Sequence, residues 1–178
     1  MHDEVLTFWF EELEPKMWWV SDPEFDRQIQ ERFGEVLERA ALGELLSWRE
    51  SPQGRLAEII VLDQFSRNIH RDTPSAFSLD PMALVLAQEA VAADALNALT
   101  PTQRAFLLMP YMHSESQLIH GLAEPLFREY TPEDNYHFEI RHKEIVDRFG
   151  RYPHRNRILG RQSTAEELAF LEQPGSSF

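Results

Sequence analysis

Proline residues that directly follow a potential capping residue mark helix starts along this chain. An Asp, Ser or Thr side chain accepts hydrogen bonds from the free N–H groups of a first helical turn. Pro tolerates the first helical position because its missing N–H would have no partner there. Such pairs occur at Asp22-Pro23, Ser51-Pro52, Asp80-Pro81, Thr100-Pro101 and Thr131-Pro132. They predict five helices that begin at these positions.

Three further helices complete the pattern. One opens near 4–12, one begins at Ser114 after Pro110 ends its predecessor, and one begins with a capping box at Ser163 with Glu166 or at Thr164 with Glu167. No segment shows the sustained apolar–polar alternation of a strand. The sequence therefore predicts an all-α fold of about seven to nine helices, with one domain over 1–173 and a frayed tail over 174–178. The Pro-marked starts lie 20 to 31 residues apart, but the intervening sequences do not match, so a helical repeat stays open.

The predicted helix over 52–71 has two opposite apolar faces, which is typical of a central, buried helix. One face then continues in polar residues, where Asp63 and Arg67 are spaced to form an ion pair. Isolated charges in a buried stripe are strongly unfavourable, so these groups must be paired or hydrogen-bonded. The pattern favours either a structural ion-pair network or a ligand site. The polar residues concerned are Asp63, Arg67, Asn68, His70 and Arg71.

Two further apolar faces carry a polar residue. His142 lies among Phe138, Ile145 and Phe149 in the helix predicted over 133–149, where a core histidine is more common than a ligand. Glu139 and His142 form one E-x-x-H pair, but a di-iron bundle needs two, so no metal site is predicted. Glu115, which follows His113, either complements the dipole of the helix predicted from Ser114 or faces the Arg-rich segment.

That Arg-rich segment follows the helix over 133–149. Gly150 favours a helix end and Pro153 prevents continuation, so the chain forms a polar loop. Residues 141–161 contain seven Arg or Lys against two acidic residues, whereas the whole chain carries a net charge of −13. Such a loop either binds a small anion or neutralises the acidic helices around it. Its candidate ligand-binding residues are Arg148, Arg151, His154, Arg155 and Asn156.

Charge and composition narrow the classes of function. An acidic surface disfavours nucleic acid and anionic membranes as partners. The chain contains no Cys, which rules out thiolate chemistry and disulfides, and no nucleotide, zinc-protease or serine-hydrolase motif is present. No cofactor is predicted. The N-terminal segment lacks a basic region and an apolar signal core, so a cytoplasmic location is expected. The aromatic residues among 8–10 and 18–19 favour packing over pocket lining.

Three blocks of sequence resemble one known family. The first runs from Leu62 to Arg71, the second from Arg148 to Asn156 with Leu159-Gly160-Arg161 and Ser163-Thr164 after it, and the third is His113-Ser114-Glu115. Together they resemble a bacterial domain-of-unknown-function family, family 924, over essentially the whole chain. The resemblance implies a tetratricopeptide-like (TPR-like) antiparallel helical array and implies no activity. This chain departs from the family pattern just after the third block. Family members tend to be more acidic there, whereas this chain has Ser116-Gln117-Leu118, which argues against a carboxylate cluster at this point.

These observations support three hypotheses about function. The first is a binding module for a small anion or a partner peptide. Its pocket would be formed by Asp63, Arg67, His70, His113, Glu115, His142, Arg148 and Arg155. The second is an enzyme in which His70, His142 or His154 acts as general base with Glu115 or Asp63 as its partner. The third is a protein-interaction scaffold with a purely structural polar cluster. The oligomeric state is not readable from the sequence.

Overall fold

The chain folds entirely into helices and loops over residues 1–177, which are the residues that the computed structural model describes, and it has no strand in that range. The α-helices are α1 His2–Thr7, α2 Pro23–Ala41, α3 Pro52–Ile60, α4 Ser66–Ile69, α5 Asp80–Ala92, α6 Pro101–Met112, α7 Gln117–Tyr130, α8 Glu133–Phe149 and α9 Ala165–Leu171. Short 3₁₀ segments lie at Pro15–Trp19, Leu46–Glu50, Pro74–Phe77, Ala95–Ala98 and Pro153–Arg155. The predicted all-α class is confirmed.

Four predicted helix caps are confirmed. Asp22 accepts a hydrogen bond from the N–H of Glu24 at 2.9 Å, and Ser51 accepts one from Gly54 at 3.0 Å. Thr100 with Gln103 and Thr164 with Glu167 form complete capping boxes, in which side chain and backbone satisfy each other. These caps start α2, α3, α6 and α9.

Helices α5 and α8 begin where the sequence predicts, but the predicted side-chain caps at Asp80 and Thr131 and the predicted helix end at Pro110 are wrong. The Asp80 side chain makes no cap hydrogen bond, because Arg67 holds both of its oxygens. Thr131 donates back to the carbonyl of Phe127, and α8 has Pro132 at its N-cap position. Helix α6 continues through Pro110 to Met112, because the ring is buried in the last turn and packing there outweighs one lost hydrogen bond.

The segment 52–71 is less regular than predicted. A π-helical turn over Val61–Phe65 separates α3 from α4, so the helical path is continuous but contains a wider turn. Helix α7 begins at Gln117 and not at Ser114. As a result Glu115 precedes the helix, and the interpretation of Glu115 as a first-turn residue of that helix is wrong.

Helix α3 and the following π turn form the centre of the core. Leu56, Ile59, Ile60 and Leu62 have no exposed surface, and α3 contacts α1, α5 and α6. Both predicted apolar faces are therefore covered by other helices. The aromatic residues of the N-terminal segment also pack inward, except for Trp19, whose side chain is 64% exposed.

A smaller apolar cluster joins α8 to the C-terminal segment. Ile145, Val146 and Tyr152 are buried there, with Phe149 and Phe170 packed against them. Ser176 is buried and donates from Oγ to the carbonyl of Leu171. Phe178, the end of the tail that the sequence predicts to be frayed, lies outside the described residues.

Within residues 1–177, no helix combines the length and apolar character needed to cross a membrane. The longest of them, α2, has 19 residues, and eight of their side chains are charged. The TPR-like arrangement implied by the family resemblance stays a prediction.

Candidate functional site

A cleft of about 360 Å³ opens where the starts of α5 and α7 meet the loop after α8. Its apolar wall consists of Pro74, Phe77, Pro81, Leu84, Pro110 and Leu159. Its polar lining consists of Ser78, Asp80, His113, Ser114, Glu115 and Arg155. Three of the residues predicted for a ligand site, His113, Glu115 and Arg155, therefore line the same cleft.

Two residues of the cleft, Asp80 and His113, are held by the Asp63–Arg67 ion pair that the sequence spacing predicted. Arg67 donates from Nη1 to the Asp63 carboxylate at 3.1 Å and to the Asp63 carbonyl oxygen at 2.8 Å. The same guanidinium binds Asp80 through two hydrogen bonds of 2.9 Å, a bidentate arrangement. Arg67 thus connects the π turn to the first turn of α5. The acceptors of its hydrogen bonds are Asp63 and Asp80.

Asp63 also binds His113. The distance from His113 Nδ1 to Asp63 Oδ1 is 2.7 Å, and the Asp63 side chain is only 1% exposed. Burial alone would raise the pKa of Asp63, but the charge of Arg67 and the hydrogen bonds from His113 and Gln64 outweigh it and hold this pKa well below its usual value. Asp63 is therefore an ionised carboxylate, which can only accept hydrogen bonds.

The ionised state of Asp63 determines the form of the His113 ring. Since Asp63 cannot donate, Nδ1 of His113 must carry the hydrogen. Burial and the charge of Arg67 lower the pKa of His113 against the opposing effect of Asp63, so the ring is neutral near pH 7. A neutral ring with hydrogen on Nδ1 has a free electron pair on Nε2. His113 therefore offers the cleft a hydrogen-bond acceptor whose orientation is fixed by Asp63.

Arg155 differs from the other arginines of the site. It is 5% exposed and lies between two aromatic rings, with its guanidinium carbon 4.6 Å from the centre of Phe77 and 4.8 Å from the centre of Tyr152. Its hydrogen bond to Asp80, from Nη1 to Oδ2, is 3.4 Å long, and its buried Nε has no hydrogen-bond partner among residues 1–177. Burial and the neighbouring charge of Arg67 lower its pKa from the usual value.

Glu115 faces the Arg-rich loop, as the second interpretation of the sequence proposed. It accepts hydrogen bonds from both terminal nitrogens of Arg161 at 2.7 and 2.8 Å and from the N–H of Tyr152 at 2.7 Å. Burial would raise the pKa of Glu115, but Arg161 and the Tyr152 N–H outweigh it and lower this pKa. The carboxylate is therefore fully engaged in holding the loop against the start of α7.

A layer of histidines lies behind the cleft around Tyr152. His120 and Glu139 are both fully buried and joined by a 2.7 Å contact between His120 Nδ1 and Glu139 Oε1. His120 Nε2 donates to the carbonyl oxygen of Ser114, a residue that lines the cleft. The rings of His142 and His154 lie 5.8 Å from the ring of Tyr152. His142 donates from Nδ1 to the carbonyl of Phe138, which is the core role that the sequence favoured.

Three of the predicted site residues lie on α4 or just after it, at a distance from the cleft lining. Asn68 and Arg71 both bind the carboxylate of Asp26, at 2.5 to 2.8 Å, and so attach α4 to α2. His70 lines a second, smaller cavity of about 230 Å³. Asn68 and Arg71 therefore join two helices and do not line the cleft, and His70 lines the other cavity.

Three predicted residues of the loop bind within the C-terminal segment. Arg148 pairs with Glu166 at the surface, and Arg151 pairs with Glu167, the capping-box residue of α9. The pairing with Arg151, together with the capping of α9, lowers the pKa of Glu167 to about 2. Asn156 is buried between Ser163 and Arg161. For these positions the neutralising interpretation of the basic loop fits their contacts.

The sequence analysis did not select Asp80, Arg161 or Tyr152 as site residues. Asp80 had the sequence signal of a helix cap, and Tyr152 had no polar signal at all. Arg161 belongs both to the second sequence block and to the basic segment, and this overlap could have marked it as a candidate site residue. Among residues 1–177, no three His, Asp or Glu side chains are grouped so that they could hold a metal ion.

Comparison with known proteins gives a family and a fold but no activity. The family model for bacterial proteins of unknown function, DUF924, matches residues 5–175. A solved structure of a protein of unknown function from Agrobacterium tumefaciens is similar to this chain with 34% identity and a TM-score of 0.91, over 96% of each chain. No curated protein shows a significant match. The chain therefore belongs to the DUF924 family of bacterial proteins.

Proposed function

We propose that this protein binds a small organic anion in the cleft, with the anionic group of the ligand, a carboxylate, on Arg155. The observation that carries the proposal is the incomplete pairing of Arg155 beside two fully paired arginines. Arg67 and Arg161 each hold a carboxylate through two hydrogen bonds of 2.7 to 2.9 Å. Arg155 has one bond of 3.4 Å, to an oxygen that already accepts from Arg67.

The incomplete pairing of Arg155 matters because a buried charge needs hydrogen-bond partners. A guanidinium has five N–H donors and always carries its charge in a protein. A buried charge is tolerated when it is paired and hydrogen-bonded, and Arg155 is only 5% exposed. The two aromatic contacts compensate part of the lost hydration. A ligand carboxylate would supply acceptors to Arg155, which lines the cleft with incomplete pairing.

The shape and walls of the cleft define the size of the ligand. A volume of about 360 Å³ suits a small molecule and not a folded partner. The six apolar side chains of the wall favour a ligand with a short hydrocarbon part. The three arginines Arg67, Arg155 and Arg161 balance Asp63, Asp80 and Glu115, so a singly charged ligand fits better than a dianion.

The experiment is isothermal titration of the protein with butyrate at low ionic strength, in wild type and Arg155→Gln. Loss of charge-assisted hydrogen bonds should weaken binding about tenfold or more. Arg148→Gln is the matched control, because Arg148 is 49% exposed and pairs at the surface with Glu166. Absence of butyrate binding in wild type, or equal affinity in Arg155→Gln, would overturn the proposal. Arg155→Lys serves if the first variant does not fold, and it should bind with intermediate affinity.

A second candidate function is acid–base catalysis on a molecule bound in the same cleft. The specific observation in its favour is the Asp63–His113 pair, since a carboxylate that fixes the ring leaves Nε2 as a base. A screen of small carboxylic acids for chemical conversion tests it. A conversion that disappears in His113→Asn while butyrate still binds would support catalysis, and a screen without conversion would count against it.

A further inference from the structure

The cleft contains one fixed hydrogen-bond acceptor in addition to its cation. The carboxylates of Asp80 and Glu115 are occupied by Arg67 and Arg161. His113 is different, because only its Nδ1 is engaged, at 2.7 Å from Asp63. Its Nε2 makes no hydrogen bond within residues 1–177, and the residue lines the cleft with a side chain that is 15% exposed. The cleft therefore presents a donor group on Arg155 and an acceptor on His113.

From this juxtaposition we infer that the ligand is a hydroxycarboxylate, whose carboxylate binds Arg155 and whose hydroxyl donates a hydrogen bond to Nε2 of His113. The inference rests on the proposed function, since it assigns the second polar group of the same ligand. Ser114, which also lines the cleft, has a hydroxyl that can donate to the ligand hydroxyl oxygen. The ligand hydroxyl would then donate one hydrogen bond and accept another.

An ammonium group in place of the hydroxyl fits less well. An ammonium brings three donors and an additional positive charge beside Arg155, and the acceptor atom on His113 satisfies one of the donors. The carboxylates of Asp80 and Glu115 already balance the charges of Arg67 and Arg161, and the wall beside them includes the apolar side chains of Phe77 and Leu84. Unsatisfied donors in such surroundings are unfavourable. A hydroxyl brings one donor, which matches the one acceptor.

The test compares ligands that differ only at this group. The affinities of 2-hydroxybutyrate and 3-hydroxybutyrate are measured by titration against butyrate, which lacks the hydroxyl, and 3-aminobutyrate, which replaces it with an ammonium. The better hydroxy acid should bind up to about tenfold more tightly than butyrate, the effect of one well-placed hydrogen bond. The methyl ether 3-methoxybutyrate has no donor and should lose this advantage in the unmodified protein.

His113→Asn then locates the acceptor. The Asn amide can still donate to Asp63 but does not extend to the position of Nε2, so the ratio of hydroxybutyrate to butyrate affinity should fall to about one. Equal binding of butyrate and both hydroxy acids by wild type would overturn the hydroxyl inference and leave the anion site standing. Failure of all these acids to bind would overturn both. A preference for 3-aminobutyrate, or a hydroxy preference that persists in His113→Asn or with the methyl ether, would also refute the inference.

Discussion

Lowering the pH from 7.5 to 5 should destabilise this protein through two buried histidines. Burial lowers the pKa of His142 to about 3, with further lowering by His113, His120 and His154 and an opposing effect of the Phe138 carbonyl. Burial and the charge of Arg155 lower the pKa of His154 to about 4. In the unfolded chain both rings return to an ordinary pKa near 6.5. Both histidines are therefore neutral in the folded protein at pH 5 and protonated in the unfolded chain.

The sign and size of the effect follow from these values. The unfolded state binds more protons below pH 6.5, so the free energy of unfolding falls as the pH falls, and the full stability is present above pH 6.5. At pH 5, about 1.5 units below the ordinary value, each histidine should remove about 2 kcal/mol of stability. The two together should remove about 4 kcal/mol. The low pKa of Asp63 adds nothing in this range, because its unfolded pKa lies below pH 5.

The assay is urea unfolding at pH 7.5 and pH 5.0, followed by tryptophan fluorescence. His142→Gln and His154→Gln should each reduce the pH-dependent loss by about 2 kcal/mol, whatever their effect at pH 7.5. Comparing differences also cancels two other contributions. The lowered pKa of His113 adds to the pH-dependent loss, and the raised pKa of buried Glu139 opposes it. His137→Gln, with a 63% exposed side chain, is the control and should leave the loss unchanged. Equal wild-type stability at both pH values, or an unchanged loss in both variants, would refute the reasoning.

Three further predictions concern the stability of the fold. Asp63→Asn removes a buried charge from Arg67 and should lower the free energy of unfolding at pH 7.5 by about 3 to 5 kcal/mol, whereas the exposed Asp134→Asn should change it little. Gly150→Ala should destabilise by about 1 to 2 kcal/mol, because φ is 68° there and nothing crowds the added Cβ. Gly121→Ala in α7 meets open space at helical geometry and should stabilise by about 0.5 to 1 kcal/mol. Urea unfolding measures all of these, and an equal effect of the two glycine substitutions would contradict the conformational argument.

Helix starts were predictable where the stabilising contact is local. The caps at Asp22, Ser51, Thr100 and Thr164 join residues two or three positions apart, so the sequence contains both partners. Asp80 has the same local signal, yet its carboxylate binds Arg67, thirteen residues earlier. A capping residue and a long-range acceptor look identical in sequence. The choice between them depends on which donor the tertiary fold brings close.

The same reasoning explains which part of the site could be predicted. The pairing of Asp63 with Arg67 follows from four-residue spacing on a helix and is present at 3.1 Å. The pairing of Asp63 with His113 spans fifty residues and that of Glu115 with Arg161 spans forty-six. An apolar face interrupted by a charge shows that a partner is needed, and it does not identify the partner. Residues of two of the family blocks, among them His113 and Arg155, line one cleft, but the blocks do not specify any contact between them.

The sequence left open whether this polar cluster is structural or binds a ligand, and the contacts divide the cluster between the two roles. Arg67 and Arg161 have complete sets of internal acceptors, so a ligand would have to compete with carboxylates already held at 2.7 to 2.9 Å. Arg155 and His113 each retain hydrogen-bonding capacity and lie on the same cleft. Groups whose neighbours are locked by ion pairs can be held in place before a ligand arrives, which reduces the entropy lost on binding. The structural network is therefore the support that would make a small-molecule site at Arg155 and His113 effective.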